Sequence, residues 1–142
     1  MMDNLATIMK RWEEVLNGDT ELAERNKSIY SSVEGRIPLQ IEIEGLSPYK
    51  VGIKGGKFTI QKGSDRKPLL AWKLPVVLFK EVMLGKQRLI YAMLDSRGTL
   101  SFDTPNFSHW NGATIIEMLF LACEMGQKES NISKLVEGLE GH

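Results

Sequence analysis

Few residues in this sequence could do chemistry. Beyond carboxylates, amines and hydroxyls there are two histidines, His109 and the terminal His142, and one cysteine, Cys123. Asp103 and His109 share the stretch FDTPNFSHW. As a general acid/base pair they would suit a small hydrolase or transferase. Two polar residues so placed in a turn more often cap or decorate a surface. Neither histidine sits at a metal-ligand spacing, so no metal and no cofactor is expected. Cys123 lies amid Phe120, Leu121, Ala122 and Met125. There a free cysteine packs as a small hydrophobe, with no neighbour to stabilise a thiolate. A single cysteine also excludes an internal disulfide and a multi-cysteine zinc site. The expectation is a non-enzyme with no catalytic residue.

Two further groups invite a chemical reading. Gly52, Gly55, Gly56 and Gly63 cluster, but no helix start follows them, so they are turn and strand glycines rather than a phosphate loop. Lys54, Lys57, Lys62, Arg66, Lys67 and Lys73 gather around the same strands. A solvated sheet face accounts for them, with a weak patch for anionic headgroups or acidic cargo as the alternative. No exposed aromatic series interleaves with them, so no nucleic-acid partner is expected.

The elements that must position these residues follow from spacing. Leu5, Ile8, Met9, Trp12, Val15 and Leu16 recur at helical period, predicting an amphipathic helix over 3–16 that ends near Gly18. A more polar helix is expected from Glu21 to about Ser31. The period then changes to two: Leu39, Ile41 and Ile43 alternate with Gln40, Glu42 and Glu44. After a turn over 45–48 comes PYKVGIKGGKFTIQKG, a two-stranded ribbon folded at Gly55-Gly56, with Tyr49, Val51, Ile53, Phe58 and Ile60 on one side. Leu70, Trp72 and Leu74 mark a fourth strand, and the adjacent strands read as an antiparallel meander. Pro75 and Gly85 bracket a short apolar helix. A second short segment, 86–94, follows, then a fifth strand with Leu100 and Phe102 inward. FDTPNFSHWNG reads as irregular. The last large helix runs from about Asn111 to Met125, and 129–140 suggests a terminal helix carrying Ile132, Leu135, Val136 and Leu139. The fold class is α+β, with helices on one sheet face.

Length and composition bound the rest. The 142 residues fit one domain, 1–142, with a core over 4–126 and a tail or short helix over 127–142. Eighteen basic residues balance eighteen acidic ones, so no global field steers the chain toward polyanions. No window approaches the ~18 apolar residues of a transmembrane segment. The composition and the amino terminus suggest a soluble cytoplasmic protein.

Two helices carry more grease than a sheet face needs. In 115–125, Glu117 and Glu124 fall together on a helical projection, and apolar residues occupy roughly 260° of the circumference. A helix lying on a core needs a stripe of only ~100°. The helix after Pro75 is similarly one-sided. A thick core, a dimer interface or a lipophilic cavity would each absorb the excess. Met83, Met93, Met118 and Met125 fit either core filling or an adaptable wall.

The order of elements and several local patterns resemble the sterol carrier protein type 2 family. The likeness runs from about Asn4 to Met125. It rests on the leading amphipathic helix, the strand IPLQIEIEG and the ribbon Tyr49 to Gly63, which reads Y-x-V-x-I-x-G-G-K-F-T-I-x-x-G. To these are added the F-x-x-V-M-x-G helix, Phe79 to Gly85, the strand Gly98 to Phe102, and the apolar closing helix. The resemblance implies a five-stranded, mainly antiparallel sheet with helices on one face. It also implies a tunnel for sterols, fatty acids, fatty acyl-CoA or isoprenoid-like lipids, and no catalytic residues. After the fifth strand this chain departs from the family's Gly-Asp pair. An inserted turn bearing Phe107 and Trp110 stands there, placed to plug, reshape or line the tunnel mouth.

By role, the resemblance assigns the lining to Phe58, Ile60, Trp72, Phe79, Val82, Met83, Ile90, Met93, Phe102, Trp110, Met118, Leu119 and Met125. The partner it implies is a lipid or other apolar small molecule. The rival expectation is an interaction or regulatory module with a filled interior, its surplus apolar surface forming a homodimer.

Overall fold

Residues 3–19, 21–22, 37–64, 68–103 and 109–140 are described by the computed structural model, with the backbone alone at 109–111. The expected helix over 21–31 lies outside them except at Glu21 and Leu22, which are helical.

Helix α1, Asn4–Gly18, starts where Asp3 accepts a hydrogen bond from the Ala6 N–H (2.7 Å), satisfying one of the helix's free donors. Its stripe of Leu5, Ile8, Met9, Trp12 and Leu16 is buried. Strands β1 (Leu39–Ile43), β2 (Tyr49–Lys54) and β3 (Lys57–Lys62) form an antiparallel meander. The β2–β3 turn places Gly55 and Gly56 at φ 59° and 79°, the left-handed region that a two-residue hairpin requires.

The meander stops at three strands. Strand β4, Leu70–Leu74, leaves β3 and joins the far flank of β1 in parallel, aligning Ile41 with Trp72 and Ile43 with Leu74. Strand β5, Thr99–Phe102, pairs antiparallel with β4, so the sheet order is β3-β2-β1-β4-β5. Alternation tells which face of a strand is oily, not which neighbour it takes. The parallel partner is therefore a finding of the structure, made by backbone bonds such as Leu69 N–H to Ile37 O and Glu44 N–H to Leu74 O (2.9 Å each).

Four more helices complete the described chain: α2 (Val76–Met83), α3 (Leu89–Met93), α4 (His109–Lys128) and α5 (Ser130–Glu137). Helix α4 begins at His109, so the segment read as irregular is already helical there. Helix α5 buries Ile132 and Val136. Lys80 of α2 donates to the carbonyls of Glu137 and Leu139 (2.6 and 3.2 Å), a cation at a helix C-terminus where the dipole favours it.

An edge strand leaves unpaired backbone groups, and α1 covers those of β3. The Asn17 amide donates to Phe58 O and accepts from Phe58 N–H, both at 2.9 Å, while Glu13 accepts from Ile60 N–H at 2.6 Å. Trp12 donates its indole N–H to Met118 O of α4 at 3.0 Å. Helix α1 is thus stitched to the sheet on one side and to α4 on the other.

Candidate functional site

Between the inner sheet face and the helices lies a cavity of about 20 Å³. Four layers of the fold meet there. The sheet supplies Ile41 and Trp72, aligned partners across β1 and β4. Helix α1 supplies Ile8, Met9 and Trp12, the α2–α3 crossover supplies Phe79, Val82, Met83 and Leu89, and α4 supplies Leu119, Ala122, Cys123 and Met125. No charged side chain stands in the wall among the described residues. The space admits one water-sized body, and an apolar lining of this kind stays dry.

Of the expected lining residues, Trp72, Phe79, Val82, Met83, Leu119 and Met125 stand on this wall. Phe58 and Met118 are buried in other parts of the core, and Ile60 and Met93 are half-buried against it. Two expectations are corrected. Ile90 is 49% exposed because α3 turns Leu89 and Ala92 inward instead. Phe102 is 46% exposed because it ends the outermost strand, beyond the helices' cover. The side chain of Trp110 and the turn with Phe107 fall outside the described residues.

The expected lining does not include Ile8, Met9, Trp12, Ile41, Leu89, Ala122 or Cys123, which also stand on the wall. The α1 stripe was visible as an oily face, but nothing in its period says it faces the same void as Trp72. Ile41 reaches that void only through the β1–β4 pairing.

One polar atom is out of place. The indole N–H of Trp72 is buried without an acceptor among the described residues. Gly98 lies against it: a Cβ there would come within 3.2 Å of this nitrogen and 3.0 Å of Lys73 O, so a larger residue would need its neighbours to give by a few tenths of an ångström. The Cys123 thiol is buried, which pushes its pKa up to about 12 and keeps it a protonated, unreactive group at neutral pH. Asp103 is half-buried, while the His109 side chain falls outside the described residues. No three His, Cys, Asp or Glu residues among those described gather as a metal site.

A second concavity, about 690 Å³ and open to solvent, lies between the start of α1, the β1–β2 turn and residues 138–140. It mixes Leu5, Leu46 and Leu139 with Asp3 and Glu140, and Tyr49 borders it. Burial, aided by the Asp3 charge, raises the Tyr49 pKa above the ordinary phenol value. A groove walled by carboxylates, with no cation among its described residues, is poorly suited to an anionic headgroup.

No protein-family model matches the sequence, and no curated protein does. Solved structures do. The sterol carrier protein domain 2 of Helicoverpa armigera superposes with a TM-score of 0.59 at 14% identity, over 86% of this chain and 90% of that one. Sterol carrier protein 2 from Yarrowia lipolytica gives 0.54 at 15% identity, over 81% and 88%. UbiJ-SCP2, a ubiquinone synthesis protein, gives 0.52 at 12% identity, over 82% and 88%. The chain has the sterol carrier protein type 2 fold, an α+β domain with a mostly antiparallel five-stranded sheet. No described helix is long and apolar enough to cross a membrane.

Proposed function

We propose that this chain binds and carries an apolar ligand in its interior without catalysing a reaction on it. The candidates are a sterol, a fatty acid, a fatty acyl-CoA or an isoprenoid-like lipid. One observation carries the reading: a void with no charged wall residue among the described residues lies where sheet and helices meet, in a fold shared with sterol carrier proteins. The void as it stands is too small for cargo, so uptake requires the wall to part. Holding some 300 Å³ of apolar space open and empty would cost roughly 7 kcal/mol at ~24 cal/mol per Å³. That is a large share of a domain's ~5–15 kcal/mol of stability, so such a wall closes unless a guest fills it. Each methylene taken from water contributes about 0.8 kcal/mol, so a twelve-carbon chain grosses roughly 10 kcal/mol, which offsets the opening.

Ala122 supplies the test, because it faces the cavity with the smallest side chain on the wall. Ala122→Phe fills the space that cargo must use. Titration with a fluorescent fatty acid should show saturable uptake by the wild type and loss of uptake in a folded Ala122→Phe variant. Equal uptake in both would refute the site. Native mass spectrometry of protein from its own host identifies the lipid class.

The closeness of the packing favours a second reading, an interaction module whose core is simply filled. Its surplus apolar surface would then sit outside, where Ile116 and Phe120 of α4 are 38% and 57% exposed. A sedimentation dimer that carries no lipid would decide for this reading.

A further inference from the structure

Helix α3 divides its side chains between two environments. Leu89 and Ala92 turn inward, and Leu89 belongs to the cavity wall. Ile90, Tyr91 and Leu94 turn outward, exposed by 49%, 61% and 75%. At 100° per residue these three fall within roughly 100° of arc, forming one stripe rather than a scatter. Isolated surface hydrophobes need no explanation, but a contiguous set marks a contact surface.

The charges beside the stripe that lack an ion-pair partner among the described residues are basic. Lys86 and Arg88 immediately precede it, are exposed, and make no salt bridge among the described residues. The nearby carboxylates are already engaged: Arg97 holds Glu81 at 2.9 Å and Asp95 at 2.8 Å. Over 81–97 three basic residues stand against two acidic ones, and Arg97 holds both of the latter. Helices α1 and α5, also amphipathic, have their oily stripes inside the core.

We propose that α3 and the segment leading into it form a docking face for an anionic lipid bilayer. Ile90, Tyr91 and Leu94 enter the boundary between headgroups and acyl chains, and Lys86 and Arg88 meet lipid phosphates. Tyrosine suits that boundary, where its ring is apolar and its hydroxyl wet. A second copy of the chain fits the same face less well. A two-fold interface would put two copies of Lys86 and Arg88 on one seam, while the carboxylates beside the face are already held by Arg97. The docking face goes beyond the carrier reading, because vesicle binding is measured without any cargo.

Flotation of the full chain with vesicles tests it, using phosphatidylcholine alone and phosphatidylcholine mixed with phosphatidylglycerol. Wild-type protein should float with the mixed vesicles, and added salt should release it. Lys86→Gln with Arg88→Gln should weaken binding to mixed vesicles about 25-fold, since each basic residue near such a surface is worth roughly fivefold. Tyr91→Ser with Leu94→Ser should lower binding at any salt. All four positions are exposed, so circular dichroism should report an unchanged fold. Lys54→Gln with Lys57→Gln, at the exposed hairpin tip, should leave binding unchanged. The proposal falls if wild-type protein does not float, or if the hairpin pair weakens binding as much as the α3 pair. A dimer that Leu94→Ser dissociates, without vesicle binding, would also overturn it.

Discussion

Trp12 and Trp72 offer a paired experiment that isolates one hydrogen bond. Both stand on the cavity wall, at 2% and 3% exposure. Replacing either by Phe removes the same ring atoms and so costs a similar amount of packing. They differ at the indole nitrogen. Trp12 donates to Met118 O at 3.0 Å, whereas Trp72 has no acceptor among the described residues. Trp12→Phe therefore loses a made hydrogen bond, worth about 1 kcal/mol net. Trp72→Phe removes a buried donor whose unmet desolvation costs ~1–3 kcal/mol, and that amount is recovered. The two variants should differ by roughly 2–4 kcal/mol, with Trp72→Phe the more stable. In urea, at a slope near 2 kcal/mol per molar, the midpoints should separate by about 1–2 M. Far-UV circular dichroism is the appropriate probe, since the substitutions alter the fluorescence itself. Midpoints that agree within about 0.5 kcal/mol would refute the reasoning, because the indole bond would then contribute nothing to the difference.

Three other outcomes follow from the same packing. Gly126 of α4 lies so close to α2 that a Cβ would come 2.5 Å from Met83 O. Gly126→Ala should therefore destabilise by about 1–3 kcal/mol in thermal unfolding, although helix propensity alone predicts a gain of ~1 kcal/mol. The Cys123 thiol ionises near its ordinary 9.0 when unfolded and near 12 when folded, so between those values only the folded chain keeps the proton. Stability should be undiminished below about pH 9 and fall as pH rises toward 12, a slope that Cys123→Ala removes in alkaline denaturation curves. Amide hydrogen exchange should be faster in α2 and α3 than in the middle of α1. The first two start without a side-chain cap, while α1 is capped by Asp3 and bonded to β3 and α4.

The strands and most helices were readable because each is an amphipathic period, and period is a local property. Leu39, Ile41 and Ile43 alternate whatever lies beside them. The neighbour of β4 was not readable, because Leu70, Trp72 and Leu74 would present the same oily face beside β3 as beside β1. The site was legible in proportion. Residues on α2 and α4 could be nominated from their one-sided grease, but Ile8, Met9 and Ile41 join the wall only through tertiary pairing. Ile90 misled because a five-residue helix buries only a narrow stripe, and Leu89 takes it. The wide apolar arc of α4 is legible in the sequence. Its destination was not legible: Ile116 and Phe120 remain at the surface while Ile115, Met118 and Leu119 fill the interior.

The size of the void and the strength of its walls bear on one question, namely where cargo would enter. A cavity of about 20 Å³ admits an acyl chain only if one wall yields. Helix α1 is badly placed to yield. Moving it would break the Trp12 bond to α4 and strip Asn17 and Glu13 from the backbone they bond at the edge of β3. The sheet is held by its ladder. The α2–α3 crossover is held differently: its polar link to the β5 turn is the Arg97 cluster with Glu81 and Asp95. Pairs at that degree of exposure contribute little net stability, so their loss is easily offset. On the proposed carrier reading, Phe79, Val82, Met83 and Leu89 on this crossover would supply the yielding wall, at the further cost of the Lys80 bonds to Glu137 O and Leu139 O. The outward stripe of α3 lies on the same crossover, so a surface that engages Tyr91 and Leu94 acts on the element carrying Leu89. Docking and opening would then be two movements of one short segment.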